Sequence, residues 1–95
     1  MKLSDWKPLE ILARIYQNKI DLNDYMFMGI YDNFGTDIYL YKNIETRAYL
    51  NVDYFGECYK YVSYTFGEEL GKPFTVDEYE IIHKEVAVNK AINYK

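Results

Sequence analysis

A catalytic or metal site is built from a few residue types held at defined spacings, and this chain supplies few of them. It has one histidine, His83, and one cysteine, Cys58. A Cys–His nucleophile pair needs the two side chains in contact and a third group to orient the imidazole. Cys58 falls in a predicted strand and His83 in a predicted helix, and nothing in their positions brings them together. A lone cysteine in that setting reads as a small buried hydrophobe. His83 follows Glu80 by three residues, the E-x-x-H spacing that metal-carboxylate bundles carry on helices. Such bundles need two copies of the motif and further glutamates, and there is no second histidine, so no metal site is expected.

The other chemistry-bearing patterns are weaker still. Residues 67–72, Gly-Glu-Glu-Leu-Gly-Lys, loosely follow a phosphate loop, but the lysine is not followed by Ser or Thr. Two glutamates there would also repel a phosphate. Carboxylates occur in pairs at Asp21 and Asp24, Glu68 and Glu69, and Glu78 and Glu80. General acid–base work needs two carboxyl groups in different environments, and pairs in loops or helix caps stay solvated. No catalytic residue and no cofactor is therefore expected, and the chain reads as a non-enzyme.

The elements around these residues set the next expectations. Ninety-five residues make one domain, residues 1–95, with about half of the side chains hydrophobic. A single cysteine forms no internal disulfide, no apolar run reaches membrane-spanning length, and no leader pattern is visible, so a cytoplasmic protein is expected. Fifteen acidic against eleven basic side chains give a net charge of −4. Binding to DNA or RNA through phosphates needs a basic surface, so no direct nucleic-acid partner is expected. An acidic surface suits basic partners, including proteins that themselves bind nucleic acid.

Leu9, Leu12, Ile15 and Tyr16, with Ile11 beside them, space an apolar stripe that predicts a helix ending near residues 18–19. Ser4 or Asp5 would cap it, and Pro8 suits its first turn. Residues 20–24 form a connector, and 25–31 then read as a buried strand. Asn33-Phe34-Gly35-Thr36 carries hairpin chemistry, with Gly35 available for positive φ. Residues 37–42, 46–53 and 57–66 alternate as three more strands. Residues 67–73 form a non-periodic stretch. Thr75-Val76-Asp77-Glu78 has the spacing of a capping box and opens a predicted helix to about residue 91, carrying Tyr79, Ile82, Val86 and Ala87 on one face. The expected fold is α+β, with an N-terminal helix, a four-stranded antiparallel meander and a C-terminal helix. Asp32-Asn33-Phe34-Gly35 and Asp53-Tyr54-Phe55-Gly56 repeat an Asp-x-Phe-Gly pattern, each between two strands, as turn chemistry.

Twelve tyrosines are the most unusual feature of the composition. Lysine outnumbers arginine nine to two, and Ile and Asn are plentiful, so an AT-rich coding bias accounts for part of the excess. If Ile38, Leu40, Ala48, Leu50 and Val52 face the helices, then Tyr39, Tyr41 and Tyr49 stand with Arg47 on an open face. Tyrosine offers large contact area at low entropic cost, which suits protein recognition. Asp37, Asp53 and Glu57 would bias that face toward a basic partner such as a nuclease. The expectation is a small protein-binding module, of the kind of a phage- or bacterium-encoded inhibitor acting against a nucleic-acid enzyme, as anti-defence, anti-CRISPR-like or immunity proteins do. Two other readings fit the same residues. One is a nucleotide or small-ligand binder that stacks bases on tyrosines, and the other is a homo-oligomeric scaffold.

Overall fold

The computed structural model describes residues 3–17, 19–67 and 74–93. A 3₁₀ turn at Leu3–Trp6 leads into helix α1 (Lys7–Ile15). Pro8 lies in the first turn of α1, where its missing N–H leaves no bond unmade. Leu9 and Leu12 are fully buried, and Ala13 and Tyr16 pack at the edge of the same core. The cap differs from expectation. Trp6 is the N-cap residue and makes no side-chain cap bond. The backbone carbonyls of Ser4 and Asp5 instead accept the Tyr54 hydroxyl at 2.8 Å and the Tyr41 hydroxyl at 2.6 Å. The helix stops at Ile15, itself half exposed, and Asn18 lies outside the described residues.

Five strands follow: β1 (Tyr25–Asn33), β2 (Thr36–Asn43), β3 (Tyr49–Val52), β4 (Cys58–Phe66) and β5 (Phe74–Ile82). They pair in sequence order, every neighbour antiparallel, and helix α2 (Lys84–Asn93) closes the chain. The α+β class stands, but the sheet has one strand more than expected. Residues 74–82 form a strand where the capping-box spacing at Thr75 predicted a helix. The segment has no clean polar–apolar alternation, but Thr75-Val76 near its start and Ile81-Ile82 at its end are β-branched and suit a strand. Pairing with β4 at nine successive positions outweighs a local cap signal. The helix consequently starts at Lys84 and buries Ala87, Val88 and Ala91, leaving Val86 58% exposed. Most of the non-periodic stretch, residues 68–73, lies outside the described residues.

The helices cover one face of the sheet, α1 over β3 and α2 over β3 and β4. That face does not carry the side chains expected of it. Tyr39 pairs with Val52 and Tyr41 with Leu50, while Leu40 pairs with Asn51. Directly paired residues share a face, so Tyr39 and Tyr41 join Leu50 and Val52 under the helices. Ile38 and Leu40 turn to the opposite side. The cause is the β2–β3 turn, where the Asn43 N–H donates to the Ala48 carbonyl and Arg47 takes a positive φ of 66°. That turn pairs even-numbered residues of one strand with odd-numbered residues of the other, and a one-residue change of phase inverts a whole strand.

β1 is an edge strand, and of its side chains only Tyr25 is buried. A bulge between Phe27 and Gly29 shifts its phase against β2. On the face away from the helices the sheet coils until its two edges approach. The Tyr31 ring of β1 lies 4.7 Å from the Tyr79 ring of β5, and Asn33 Nδ2 donates to the Tyr79 carbonyl at 3.3 Å. Ile38, with no exposed surface, lies on this concave side. β3 pairs with β4 only at Asn51–Tyr59 and Val52–Cys58, so most of the β4–β5 hairpin projects past β3 as a two-stranded arm. Among the described residues no helix is long and apolar enough to cross a membrane.

Candidate protein-binding surfaces

The six residues expected to meet a partner are dispersed by the fold. Tyr41 is fully buried, its ring 5.5 Å from Trp6 and 5.9 Å from Phe27. Tyr39 is 8% exposed and meets Tyr54 edge to face at 5.2 Å. Burial raises both hydroxyls, Tyr39 to about 12. Neither ring stands on an open sheet face, which corrects the expected arrangement. Its reason is the phase set by the β2–β3 turn. Asp53 is also buried, at 3% exposure. Its Oδ1 accepts the Phe55 and Glu57 N–H groups at 2.8 and 3.0 Å, and its Oδ2 accepts the Tyr59 hydroxyl at 2.7 Å. Asp53 therefore shapes the β3–β4 turn from inside.

Three of the six reach the surface. Tyr49 is half exposed, with the Lys42 ammonium 5.7 Å from its ring centroid. Glu57 pairs with Lys84 at 3.2 Å. Asp37 is exposed and sits directly opposite Asp32 in the β1–β2 ladder.

The arm carries two acidic, tyrosine-bearing faces that the sequence reading missed. Tyr61 and Tyr64 are exposed, and their hydroxyls donate to carboxylates of β5, Tyr61 to Asp77 at 2.7 Å and Tyr64 to Glu80 at 2.5 Å. Each bond holds its phenol protonated and raises the hydroxyl above its ordinary range. The register sets the two pairs on opposite faces of the arm, Tyr61 with Asp77 on one and Tyr64 with Glu78 and Glu80 on the other, so each face carries an aromatic ring held at a carboxylate. The alternation of β4 was visible in the sequence, but a helix assignment for residues 75–82 hid the acidic strand that partners it.

A second unabsorbed surface is the end of the sheet that bears both the β1–β2 and the β3–β4 turns. Phe34 and Phe55, from the two Asp-x-Phe-Gly motifs, are 90% and 83% exposed there.

The chemistry-bearing residues are separated. Cys58 is fully buried on β4, and burial lifts its thiol from 9.0 to about 12, away from nucleophilic use at neutral pH. Glu80 stands on β5 and exposed His83 follows that strand, so the E-x-x-H spacing does not fall on a helix. Among the described residues no group of three or more His, Cys, Asp or Glu side chains is placed to hold a metal ion. Comparison of the chain with family models, curated proteins and solved structures finds no match.

Proposed function

We propose that this chain is a small non-catalytic protein-binding module that occupies a basic surface of a nucleic-acid enzyme, in the manner of a phage- or bacterium-encoded inhibitor. The observation that carries the reading is the projecting arm, where Tyr61 and Tyr64 are held by Asp77 and Glu80. An aromatic ring fixed by its own hydroxyl bond loses little freedom on docking. Carboxylates at its rim attract a basic surface and repel nucleic acid itself. The reading moves the acidic, tyrosine-bearing surface from β2 to the two faces of the arm, which would enter a basic cleft with one held ring on each side.

The base-stacking alternative has less support. It requires accessible ring faces beside cations. Tyr39 and Tyr41 offer no accessible face and Tyr61 and Tyr64 are bonded to carboxylates, while half-exposed Tyr49 beside Lys42 supplies one such ring where a stacking platform uses several.

The test is affinity capture with the tagged full chain from lysate of its native host, at low and moderate salt. Binding and inhibition are then measured on the purified target. Recovery of a basic nucleic-acid enzyme, inhibited by the chain, released by salt and no longer bound by a Tyr61→Ala, Tyr64→Ala, Asp77→Lys variant, supports the reading. Binding that survives those substitutions undiminished removes the arm from it. An absorbance excess at nucleotide wavelengths in the purified chain would turn attention to a ligand binder.

A further inference from the structure

The turn end of the sheet holds three features that the fold does not explain. Phe34 and Phe55 are almost wholly in solvent, at 90% and 83% exposure, although each occupies a well-fixed turn. The Gly35 N–H donates to Asp32 Oδ1 at 2.9 Å, as Phe55 N–H does to Asp53 Oδ1 at 2.8 Å. The repeated aspartates thus cap the two turns, and the side chains of the repeated phenylalanines play no part in the capping.

The second feature is backbone strain at Phe34. Asn33 pairs with Thr36, so Phe34 and Gly35 form a two-residue hairpin loop, and both have positive φ, 53° and 88°. Such loops favour Asn, Asp or Gly at the first central position, where a bulky side chain is strained. A phenylalanine there gains neither packing nor backbone comfort, and strain held at an exposed tip points to use.

The third is the opposed pair Asp32 and Asp37, both exposed, at the base of the same hairpin. Like charges directly across a ladder are destabilising. No ion pair between described residues involves either carboxylate.

We infer that this turn end is a second docking surface, whose occupant is a protein surface with apolar pockets for Phe34 and Phe55 inside a rim of Lys or Arg. The inference rests on the proposed binding of a basic protein and adds the chemistry of a second contact. In a meander the β1–β2 and β3–β4 turns lie at the same end of the sheet. Two exposed rings borne on turns at one end of the sheet suit separate apolar pockets of one partner. Leu3, 92% exposed, adds apolar surface beside Tyr54, whose hydroxyl is held by the Ser4 carbonyl. The charge decides the occupant. A second copy would set Asp32 and Asp37 against the same residues, and an anionic lipid surface would meet them with like charge, whereas a basic rim relieves their repulsion.

The experiment pans a display library of random 12-residue peptides against the immobilised full chain, then measures the selected peptides by calorimetry. The expected peptides carry Lys or Arg around two bulky apolar residues. Their affinity falls at least tenfold for a Phe34→Ser, Phe55→Ser variant and is recovered poorly by a Phe34→Ser, Phe55→Leu variant. Asp37→Lys weakens them further, while Tyr61→Ala, Tyr64→Ala does not. Unchanged melting of the variants shows that the fold is intact. Selection of peptides without basic residues, or equal binding by the double Ser variant, overturns the inference. So does a dimer in sedimentation, or binding to phosphatidylcholine vesicles, that the double Ser variant abolishes. Failure of the arm reading shows separately, as enzyme capture that Tyr61→Ala, Tyr64→Ala leaves unchanged.

Discussion

The Tyr59 hydroxyl donates to Asp53 Oδ2 at 2.7 Å, with both side chains buried, and this bond ties β4 to the turn that precedes it. The other oxygen of the same carboxylate accepts two backbone N–H groups of that turn. One buried side chain thus accepts from three donors, so none of its hydrogen-bonding partners in the turn is left unmet. Tyr59 is raised by burial and by Asp53, so it stays a donor at neutral pH.

Removing either partner should therefore cost unequal amounts. Asp53→Ala leaves three donors unmet and should lose about 3 kcal/mol, while Tyr59→Phe removes one bond and should lose about 1.5 kcal/mol. Urea unfolding of the two single variants and the double variant measures their coupling. A double variant equal to the sum of the singles would mean that the bond contributes nothing of its own.

Stability should fall in alkali, and the sign follows from the buried acids. Burial raises the Cys58 thiol and the Tyr39 hydroxyl to about 12, and raises Tyr41 as well. Each folded value lies above the unfolded one, so the folded chain keeps protons that the unfolded chain releases. Stability is complete below the unfolded values, near 9.0 for the thiol and 10.0 for the phenols, and is lost as pH rises from there toward 12. Each such group removes about 1.4 kcal/mol per pH unit across its window. Melting temperature should hold level to about pH 8 and drop steeply above about pH 10. A level profile to about pH 11 would show these groups to be open to solvent.

Much of the fold was legible as local pattern, and the failures have one origin. The stripe through Leu9 and Leu12 did give a helix, and Asn33-Phe34-Gly35-Thr36 did give a hairpin. Both depend on neighbours in sequence. Residues 74–82 and the orientation of Tyr39 and Tyr41 depend on partners elsewhere. Thr75 to Glu78 is a sound cap spacing, but β4 offers nine paired positions, and only the tertiary structure weighs one against the other. The phase of β2 against β3 rests on the Asn43–Ala48 turn, and Arg47 at φ 66° gives no warning of it in sequence. The same two errors displaced the candidate site. Asp53 and Tyr39 became supports of a turn, and the acidic strand beside Tyr61 and Tyr64 went unseen. The Asp-x-Phe-Gly repeat was visible from the start, and its aspartates are the turn caps it implied.

Two glycines with similar backbones should respond differently to alanine. Gly35 and Gly56 have φ of 88° and 80°, where any L side chain is strained by about 1 kcal/mol. A Cβ at Gly35 meets nothing within 4 Å, whereas one at Gly56 lies 3.3 Å from Ile11 Cγ2 and 3.6 Å from Ile15 Cδ1 on α1. Gly35→Ala should cost about 1 kcal/mol, and Gly56→Ala about 2 kcal/mol because α1 must shift. Thermal melts of the pair decide it. Equal losses would mean that α1 sits loosely enough over the β3–β4 turn to yield.

Phe34→Asn should stabilise the protein. Asparagine tolerates the left-handed backbone at this position, and Asn-Gly is the favoured pair for a two-residue hairpin loop. The phenylalanine ring is 90% exposed, so its removal forfeits little packing. A gain of about 0.5–1 kcal/mol in urea unfolding is expected. The same substitution should weaken the basic peptides that the turn end selects, because it deletes one of their two anchors. Stability gained with binding lost is the pattern of a residue kept for contact and not for folding. A loss of stability instead would place the ring in packing contact with the folded chain, and Phe34 would no longer be available as an anchor.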